Sequence, residues 1–162
     1  MSAPEAGDRA PEFALPDETG TVHRLSDQRG RWTIVYFYPA DDTPGCTIES
    51  CQFRDIDSQV RAASAQIWGI SPDGAASHAR FREKFNLPFN LLSDEDHAVS
   101  TIYGAWRLRS LYGKESMGIQ RSTYLVDPDG LIARAWPKVK ADGHPAEVLA
   151  AIDDARAARA SS

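Results

Sequence analysis

The chain has 162 residues, of which 42% are hydrophobic, and its 18 basic and 23 acidic side chains give a net charge of −5. This length fits one globular domain, and an acidic chain without a basic cluster is unsuited to nucleic acid or an anionic membrane as its main partner. The longest apolar run, residues 34–38, is too short to span a bilayer, and two cysteines cannot form a disulfide framework. With no secretory signal pattern, we expect one soluble cytoplasmic domain spanning 1–162, its core at about 7–152 and its ends, 1–6 and 157–162, flexible.

The first half of the chain predicts a strand, a helix and a second strand. Residues 33–38 are β-branched or aromatic and end at a proline, which is typical of a buried strand, and residues 66–71 have the same character. A strand–helix–strand unit of this length predicts two parallel neighbouring strands with a right-handed connection. The helix is predicted over residues 43–63, whose apolar residues fall roughly on one face: Ile48, Ile56, Val60 and Ala63.

The second half predicts a helix, a hairpin and a last helix. The first helix covers residues 75–85, and a β-hairpin joins strands 122–126 and 131–136 through an Asp-Pro-Asp-Gly turn. The last helix covers about 145–156. This order of elements predicts an α/β protein with a thioredoxin-like fold, in which helices flank a central mixed β-sheet.

Cys46 stands at a position that favours a reactive thiol. It follows a predicted strand closely, and in open α/β sheets sites form at the carboxyl ends of the strands. Thr43 suits the N-cap of the next helix and Pro44 its first position, which puts Cys46 in the first turn. Unpaired N–H groups and the positive end of the helix dipole favour an anion there. We therefore expect this thiol to ionise readily and to act as a nucleophile.

The spacing of the two cysteines leaves several interpretations open. In an ideal helix Cys46 and Cys51 have Cα atoms about 8.7 Å apart, beyond the roughly 7 Å at which a disulfide requires backbone movement. If the two sulfurs bond, the helix must unwind, which suits a redox switch better than a structural link. A cysteine that only packs in the core is one alternative. Zinc is disfavoured, because the histidines stand singly and no second ligand pair is present.

The segment around Cys46 also resembles a known family. The pattern P-x-x-x-T-x-x-C, formed by Pro39, Thr43 and Cys46, is similar to the active-site signature of the peroxiredoxins. The longer form T-P-G-C-T-x-E-x-x-C, which ends at Cys51, resembles the PrxQ subfamily, also called the bacterioferritin comigratory proteins. Further matching segments occur in the family's order, at 13–16, 91–94, 103–106, 117–123, 127–130 and 143–149.

The resemblance implies a role for each matching residue. Cys46 would be the peroxidatic cysteine, which attacks a hydroperoxide and becomes a sulfenic acid, and Cys51 the resolving cysteine, which condenses with it to a disulfide. Arg121 would favour the Cys46 thiolate and bind peroxide oxygen. Thr43 would hydrogen-bond the peroxide and the thiolate, while Pro39 would shield the sulfur from water. The substrate-binding residues are then Thr43, Gly45, Cys46 and Arg121.

Four other residues allow two roles each. Glu49 either orients Arg121 or is an ordinary glutamate of the first helical turn, favoured by the helix dipole. Phe53 and Trp106 either line a pocket or belong to the core, and large aromatic side chains favour the core. His144 matches a family position, and we expect it to pack or to cap a helix rather than to take part in the chemistry.

The helix turns beside the two cysteines are expected to be its weakest. Ser50 stands where the resembled family usually has alanine, and serine is a poorer helix former by a few tenths of a kcal/mol. Ser50, like Gly45, is therefore expected to ease unwinding. In the reduced protein we expect one continuous helix with Cys46 and Cys51 unbonded, and in the oxidised protein at least one melted turn.

These residues predict a thiol peroxidase that reduces hydrogen peroxide and organic hydroperoxides. As the resemblance implies, thioredoxin or a similar dithiol protein would reduce its intramolecular disulfide. No metal or other cofactor is expected, and a resolving cysteine in the same chain predicts a monomer. Two alternatives stay open: a thiol–disulfide oxidoreductase, which the missing C-x-x-C disfavours, and a redox-sensing binding protein whose partner reads the unwound helix.

Overall fold

The structure, a computed structural model, describes residues 3–160 of the chain. The strands are β1 (Ala14–Pro16), β2 (Val22–Arg24), β3 (Trp32–Phe37), β4 (Ala65–Ser71), β5 (Asn90–Ser93), β6 (Trp106–Leu111), β7 (Lys114–Ile119), β8 (Ser122–Val126) and β9 (Ile132–Trp136). The helices are α1 (Pro44–Ala62), α2 (Ala75–Phe85), α3 (Ala98–Ile102) and α4 (His144–Ala160), and a 3₁₀ turn covers Leu25–Gln28.

Five strands form the central sheet, in the order β5–β4–β3–β8–β9. β3 runs parallel to β4, with α1 between them in the chain, so the predicted strand–helix–strand unit is confirmed. β8 is antiparallel to both β3 and β9, and the predicted hairpin is likewise confirmed. The sheet is therefore mixed, as the order of elements predicted.

Strand β3 is the middle strand of the sheet, and every one of its residues is buried. Alternate side chains of a strand point to opposite faces. Ile34 and Tyr36 accordingly pack into one apolar cluster, which includes side chains of α1 and α4. Val35 and Phe37 pack into the cluster on the other face. The carboxyl end of this doubly covered strand leads directly into the loop before α1.

The buried face of α1 differs from the face that the apolar pattern predicted. Ile48 is 44% exposed, and the prediction was wrong for this residue. The polar residues Glu49, Ser50 and Asp57 lie inside instead, because each has a hydrogen-bond partner within the protein. The buried residues of α1 are Cys46, Glu49, Ser50, Phe53, Asp57 and Val60.

Hydrogen bonds near the start of the chain and a long last helix mark its two ends, and the expected flexibility of 1–6 and 157–162 stays a prediction. Near the start, the Gly7 N–H donates to the Ile132 carbonyl at 2.8 Å and the Ala10 N–H to the Gly130 carbonyl at 2.9 Å, which ties this segment to the β8–β9 hairpin. At the other end α4 continues to Ala160, since alanine and arginine are good helix formers. Residues 1, 2, 161 and 162 of the expected flexible ends lie outside the described residues.

Two hairpins outside the central sheet were not predicted. β1 pairs with β2, and β6 pairs with β7, in both cases antiparallel. β1 and β2 are too short to give a clear alternation of apolar and polar residues. In the other hairpin Leu108 and Met117 lie opposite each other and are exposed, which a buried-strand pattern does not anticipate. Within residues 3–160 no helix is long and apolar enough to cross a membrane.

Candidate active site

Cys46 lies in the first turn of α1, and only 1% of its surface is exposed. Thr43 takes the N-cap position with an extended backbone and Pro44 begins the helix, as the sequence predicted. The Thr47 N–H donates to the Thr43 carbonyl at 2.8 Å. The N–H groups of Gly45 and Cys46 come before this bond and have no carbonyl within the helix to donate to. Two backbone donors are therefore available to an anion beside the sulfur.

Arg121 brings a positive charge to that sulfur. It directly precedes β8, and its Nη2 donates to Cys46 Sγ at 3.3 Å, while its Nη1 donates to Glu49 Oε1 at 2.7 Å. Burial lowers the pKa of Arg121, but the charges of Glu49 and Cys46 outweigh burial and leave this pKa raised. The guanidinium is therefore held charged against the sulfur by two hydrogen bonds of defined geometry.

Gly45 leaves the space into which Arg121 reaches. A Cβ atom on Gly45 would lie 3.0 Å from Arg121 Nη2 and 3.8 Å from its Cζ. The backbone of Gly45 is helical, a conformation open to any residue, so the need for glycine comes from space. The family resemblance implied that Gly45 binds substrate, and in the structure a side chain here would press on the Arg121 guanidinium.

Glu49 is completely buried, unlike an ordinary glutamate of a first helical turn. Its Oε1 accepts the hydrogen bond from Arg121, and its Oε2 has no hydrogen-bond partner among the described residues. Burial raises the pKa of Glu49 to about 7, although Arg121 opposes this shift. Of the two roles that the sequence allowed, the geometry matches the orientation of Arg121.

Thr43 and Pro39 both lie in the segment between β3 and α1. The Thr43 hydroxyl is exposed and donates to the Ala40 carbonyl at 3.0 Å, and it does not cap the helix. Pro39 follows β3 and is half-buried. For Thr43 to bond a peroxide or the Cys46 sulfur, its hydroxyl has to turn away from Ala40.

A buried network that the sequence analysis missed holds the same segment in place. Asp41 accepts hydrogen bonds from the Tyr38 hydroxyl at 2.6 Å and the Ser77 hydroxyl at 2.8 Å. Its carboxylate also lies 2.7 Å from His78 Nδ1, and His78 Nε2 lies 3.0 Å from the Leu92 carbonyl. The loop before α1 is thereby attached to α2 and β5. Asp41 and His78 are 37 positions apart, and no local pattern indicates such a pair.

Cys51 lies further along α1 and is half-buried, and both cysteines are free. The predicted continuous helix over the two cysteines is confirmed. Arg54 Nη1 donates to Cys51 Sγ at 3.6 Å and to the Phe85 carbonyl at 2.9 Å. Because an intact helix keeps Cys46 and Cys51 too far apart for a disulfide, the sulfurs can bond only if α1 opens.

The remaining candidates make packing contacts. Phe53 is fully buried and stacks on a tyrosine of β3, with ring centroids 4.7 Å apart. His144 begins α4, its Nε2 lies 2.9 Å from Thr123 Oγ1, and burial lowers its pKa to about 4. Trp106 stacks on His97, with ring centroids 3.8 Å apart. Each contact agrees with the packing role that the sequence analysis favoured.

Sequence comparisons agree with the geometry of the site. The model of the AhpC/TSA family matches residues 6–135 of the chain. The chain is 49% identical over 145 residues to a protein of Coxiella burnetii named putative peroxiredoxin bcp, and the alignment covers 90% of this chain and 96% of that protein. It is 44% identical over 150 residues to peroxiredoxin Bcp of Bacillus subtilis, and the alignment covers 93% of this chain and 96% of that protein.

Solved structures show the same likeness. A cysteine-to-serine mutant of the PrxQ of Xylella fastidiosa superimposes with a TM-score of 0.89 at 32% identity, covering 95% of this chain and 98% of that one. Peroxiredoxin Q of Xanthomonas campestris superimposes with a TM-score of 0.84 at 39% identity, covering 88% of this chain and 90% of that one. The predicted thioredoxin-like fold is confirmed by these similarities.

Proposed function

The chain belongs to the AhpC/TSA family of peroxiredoxins, and on that premise we propose how its own residues reduce peroxides. The protein is a thiol-dependent peroxidase, as the sequence predicted. Its substrates are hydroperoxides and its reductant is a thioredoxin-like dithiol protein. The geometry around Cys46 supports a role for each of its neighbours.

In the first step the Cys46 thiolate attacks the terminal oxygen of the hydroperoxide. A sulfur–oxygen bond forms as the oxygen–oxygen bond breaks, so the sulfur loses two electrons and the peroxide gains them. The leaving oxygen takes up a proton and departs as an alcohol, or as water when the substrate is hydrogen peroxide. Arg121 and the N–H groups of Gly45 and Cys46 stabilise the negative charge, which moves from sulfur to oxygen. Thr43 adds a hydrogen bond once its hydroxyl leaves the Ala40 carbonyl.

One observation carries this assignment: the charged Nη2 of Arg121 lies 3.3 Å from the Cys46 sulfur. An arginine at the start of a strand usually points into water, whereas the Arg121 side chain is only 14% exposed and paired with a fully buried Glu49. Burying an ion pair beside a thiol costs desolvation energy. A function that needs a thiolate accounts for that arrangement.

In the second step Cys51 resolves the sulfenic acid. The Cys51 sulfur attacks the Cys46 sulfur, an S–S bond forms, the S–O bond breaks, and the hydroxyl leaves as water with the Cys51 proton. The two sulfurs meet only after α1 opens between them, because an intact helix keeps their Cα atoms about 8.7 Å apart. Amide hydrogen exchange over residues 43–53 should therefore be faster in the disulfide form than in the reduced form.

In the third step a dithiol protein reduces the disulfide, and its own two thiols become a disulfide while Cys46 and Cys51 recover their protons. Because both cysteines lie in one chain, no partner subunit is needed, and we propose a monomer acting as a single domain in the cytoplasm. Pro39, half-buried at the end of β3, limits water around the first turn of α1. Sedimentation of the reduced and oxidised protein tests the proposed monomer.

A coupled assay tests the function as a whole. Thioredoxin, its reductase and NADPH are mixed with the protein and a hydroperoxide, and the loss of NADPH is followed. Many equivalents of NADPH consumed per protein, dependent on both thioredoxin and peroxide, are expected. A redox-sensing protein that thioredoxin does not reduce consumes one equivalent of peroxide and no NADPH, so oxidation of the protein without sustained loss of NADPH would favour that alternative.

A further inference from the structure

A hydrogen bond joins the helix turn between the two cysteines to the central sheet. Ser50 directly precedes Cys51 in α1, and its Oγ lies 2.8 Å from the hydroxyl oxygen of Tyr36. Neither side chain has any exposed surface. The helix turn that separates Cys46 from Cys51 is therefore bonded, inside the core, to a residue of β3.

Tyr36 is a fixed partner for Ser50. It belongs to the central strand, which is paired on both sides. Its ring stacks on Phe53 at 4.7 Å and on Tyr38 at 5.4 Å between centroids. Burial raises the pKa of Tyr36 well above its ordinary value, so the phenol keeps its proton and remains able to donate. The sheet thus holds Tyr36 in place when the helix moves.

We propose that this hydrogen bond, the Ser50–Tyr36 latch, holds the turn closed and limits the rate at which the disulfide forms. The inference rests on the proposed function, in which Cys51 attacks the Cys46 sulfenic acid and water leaves. Opening the turn carries Ser50 away and leaves the Tyr36 hydroxyl in the core without its partner. An unpaired buried hydroxyl is unfavourable, so the latch favours the closed helix.

The latch acts against the helix propensity of serine. Alanine is the better helix former, and on propensity alone Ser50→Ala slows the opening of the turn by less than about twofold. Loss of one buried hydrogen bond instead speeds opening by about two- to tenfold. The latch therefore reverses the sequence expectation that Ser50 eases unwinding, and the sign of the rate change separates the two effects.

The latch also sets how long the sulfenic acid survives. While the turn stays closed, Cys46 remains in its pocket beside Arg121 and can meet a second hydroperoxide. That second reaction adds an oxygen and gives a sulfinic acid, which a dithiol does not reduce. Faster opening shortens the time during which the sulfenic acid can meet a second hydroperoxide. Ser50→Ala should therefore need a higher peroxide concentration than wild type for the same overoxidation of Cys46.

The test compares reduced wild type with Ser50→Ala and Tyr36→Phe, which remove the latch from its two sides. Each protein is mixed with one equivalent of hydrogen peroxide, quenched in acid at set times, alkylated and analysed by mass. Both variants should form the disulfide about two- to tenfold faster, while the rate at which Cys46 consumes peroxide stays unchanged. Ser58→Ala, at an exposed position of α1, is the matched control for helix propensity and should not accelerate.

A second measurement needs no peroxide. In the reduced proteins, amide hydrogen exchange at positions 50 and 51 should be faster in Ser50→Ala than in wild type. In Ser58→Ala it should be no faster than in wild type. Disulfide formation and exchange that are unchanged or slower in Ser50→Ala overturn the latch. If wild type consumes peroxide without forming a disulfide, the proposed resolution by Cys51 fails, and the exchange rates alone decide whether the latch exists.

Discussion

The guanidinium of Arg121 donates to the Cys46 sulfur at 3.3 Å, although the two residues are 75 positions apart. The same guanidinium bonds Glu49, which lies one turn after Cys46 in α1. Because both acceptors belong to the start of one helix, a movement that takes Cys46 towards Cys51 also separates the arginine from its partners. The charged arrangement around the Cys46 sulfur therefore exists only while the first turns of α1 are folded.

Replacing Cys46 by serine should abolish peroxide turnover and leave the fold intact. The serine hydroxyl is a far weaker nucleophile at neutral pH than a thiolate, yet it fits the buried site and can accept the Arg121 hydrogen bond. The coupled NADPH assay measures turnover, and thermal unfolding followed by circular dichroism checks the fold. Turnover that survives in Cys46→Ser assigns the nucleophile elsewhere.

Cys51→Ser should react once with peroxide and then stop. Without a thiol to condense with, the Cys46 sulfenic acid persists and a second peroxide converts it to sulfinic acid. A dimedone-type reagent traps the sulfenic acid, and mass spectrometry of the intact protein then follows both the trapped sulfenic acid and the sulfinic acid. Sustained turnover with thioredoxin in this variant would show that resolution does not need Cys51.

Arg121→Ala should slow the reaction of Cys46 with peroxide by about 10²- to 10³-fold, the usual effect of removing a donor that stabilises charge at the reacting atoms. It also leaves Glu49 buried without its partner. Stopped-flow measurement of the first oxidation step gives the rate constant. Arg80→Ala, at an exposed position of α2, is the matched loss of one positive charge and should leave that rate unchanged. Equal rates in the two variants would reduce Arg121 to a structural role.

Glu49 should make the stability of the fold depend on pH. Its pKa is raised from 4.5 to about 7 in the folded protein, so between these values the folded state holds a proton that the unfolded chain has released. Stability therefore falls as pH rises through this range. The free energy of unfolding of Glu49→Gln minus that of wild type should therefore increase by on the order of 3 kcal/mol as the pH rises from 4.5 to 7.

Urea unfolding of both proteins at several pH values measures this difference. The two proteins have to be compared because His144 also makes stability depend on pH. The pKa of His144 is lowered to about 4, so its ionisation makes stability rise with pH over much of the same range. His144 is present in both proteins and its effect cancels. A difference that does not change with pH would show that Glu49 is ionised over the whole range.

The parts of the fold and site that local sequence determines were predictable. An aromatic strand followed by Thr43, Pro44 and a helical run indicates a strand end and a helix start, and this placed Cys46 in the first turn of α1. The parallel pair and the β8–β9 hairpin followed from the same kind of local pattern. Arg121 was located only through the family resemblance, because strand-end arginines are usually solvated.

The partners that lie far apart along the chain were not predictable. Asp41 and His78 bond across 37 positions of the chain, and Ser50 and Tyr36 bond across 14. In each pair the two residues belong to different elements, so the spacing within one helix or strand does not indicate the contact. The bond of Ser50, with those of Glu49 and Asp57, explains the wrong prediction for Ile48, since polar residues with partners inside the protein took the buried face of α1. Apolar periodicity indicates which residues favour burial, but it does not show where a polar residue has a partner.

In the proposed mechanism peroxide oxidises Cys46, and Cys51 closes a disulfide within the same chain. Trypsin cuts after Arg31 and Arg54, so both cysteines lie in the single peptide 32–54. After reduced protein consumes one equivalent of hydrogen peroxide and is alkylated, this peptide should lack two hydrogen atoms and carry no alkyl group. Two alkylated thiols in the peptide, or a sulfinic acid at Cys46 beside an alkylated Cys51, would contradict this mechanism.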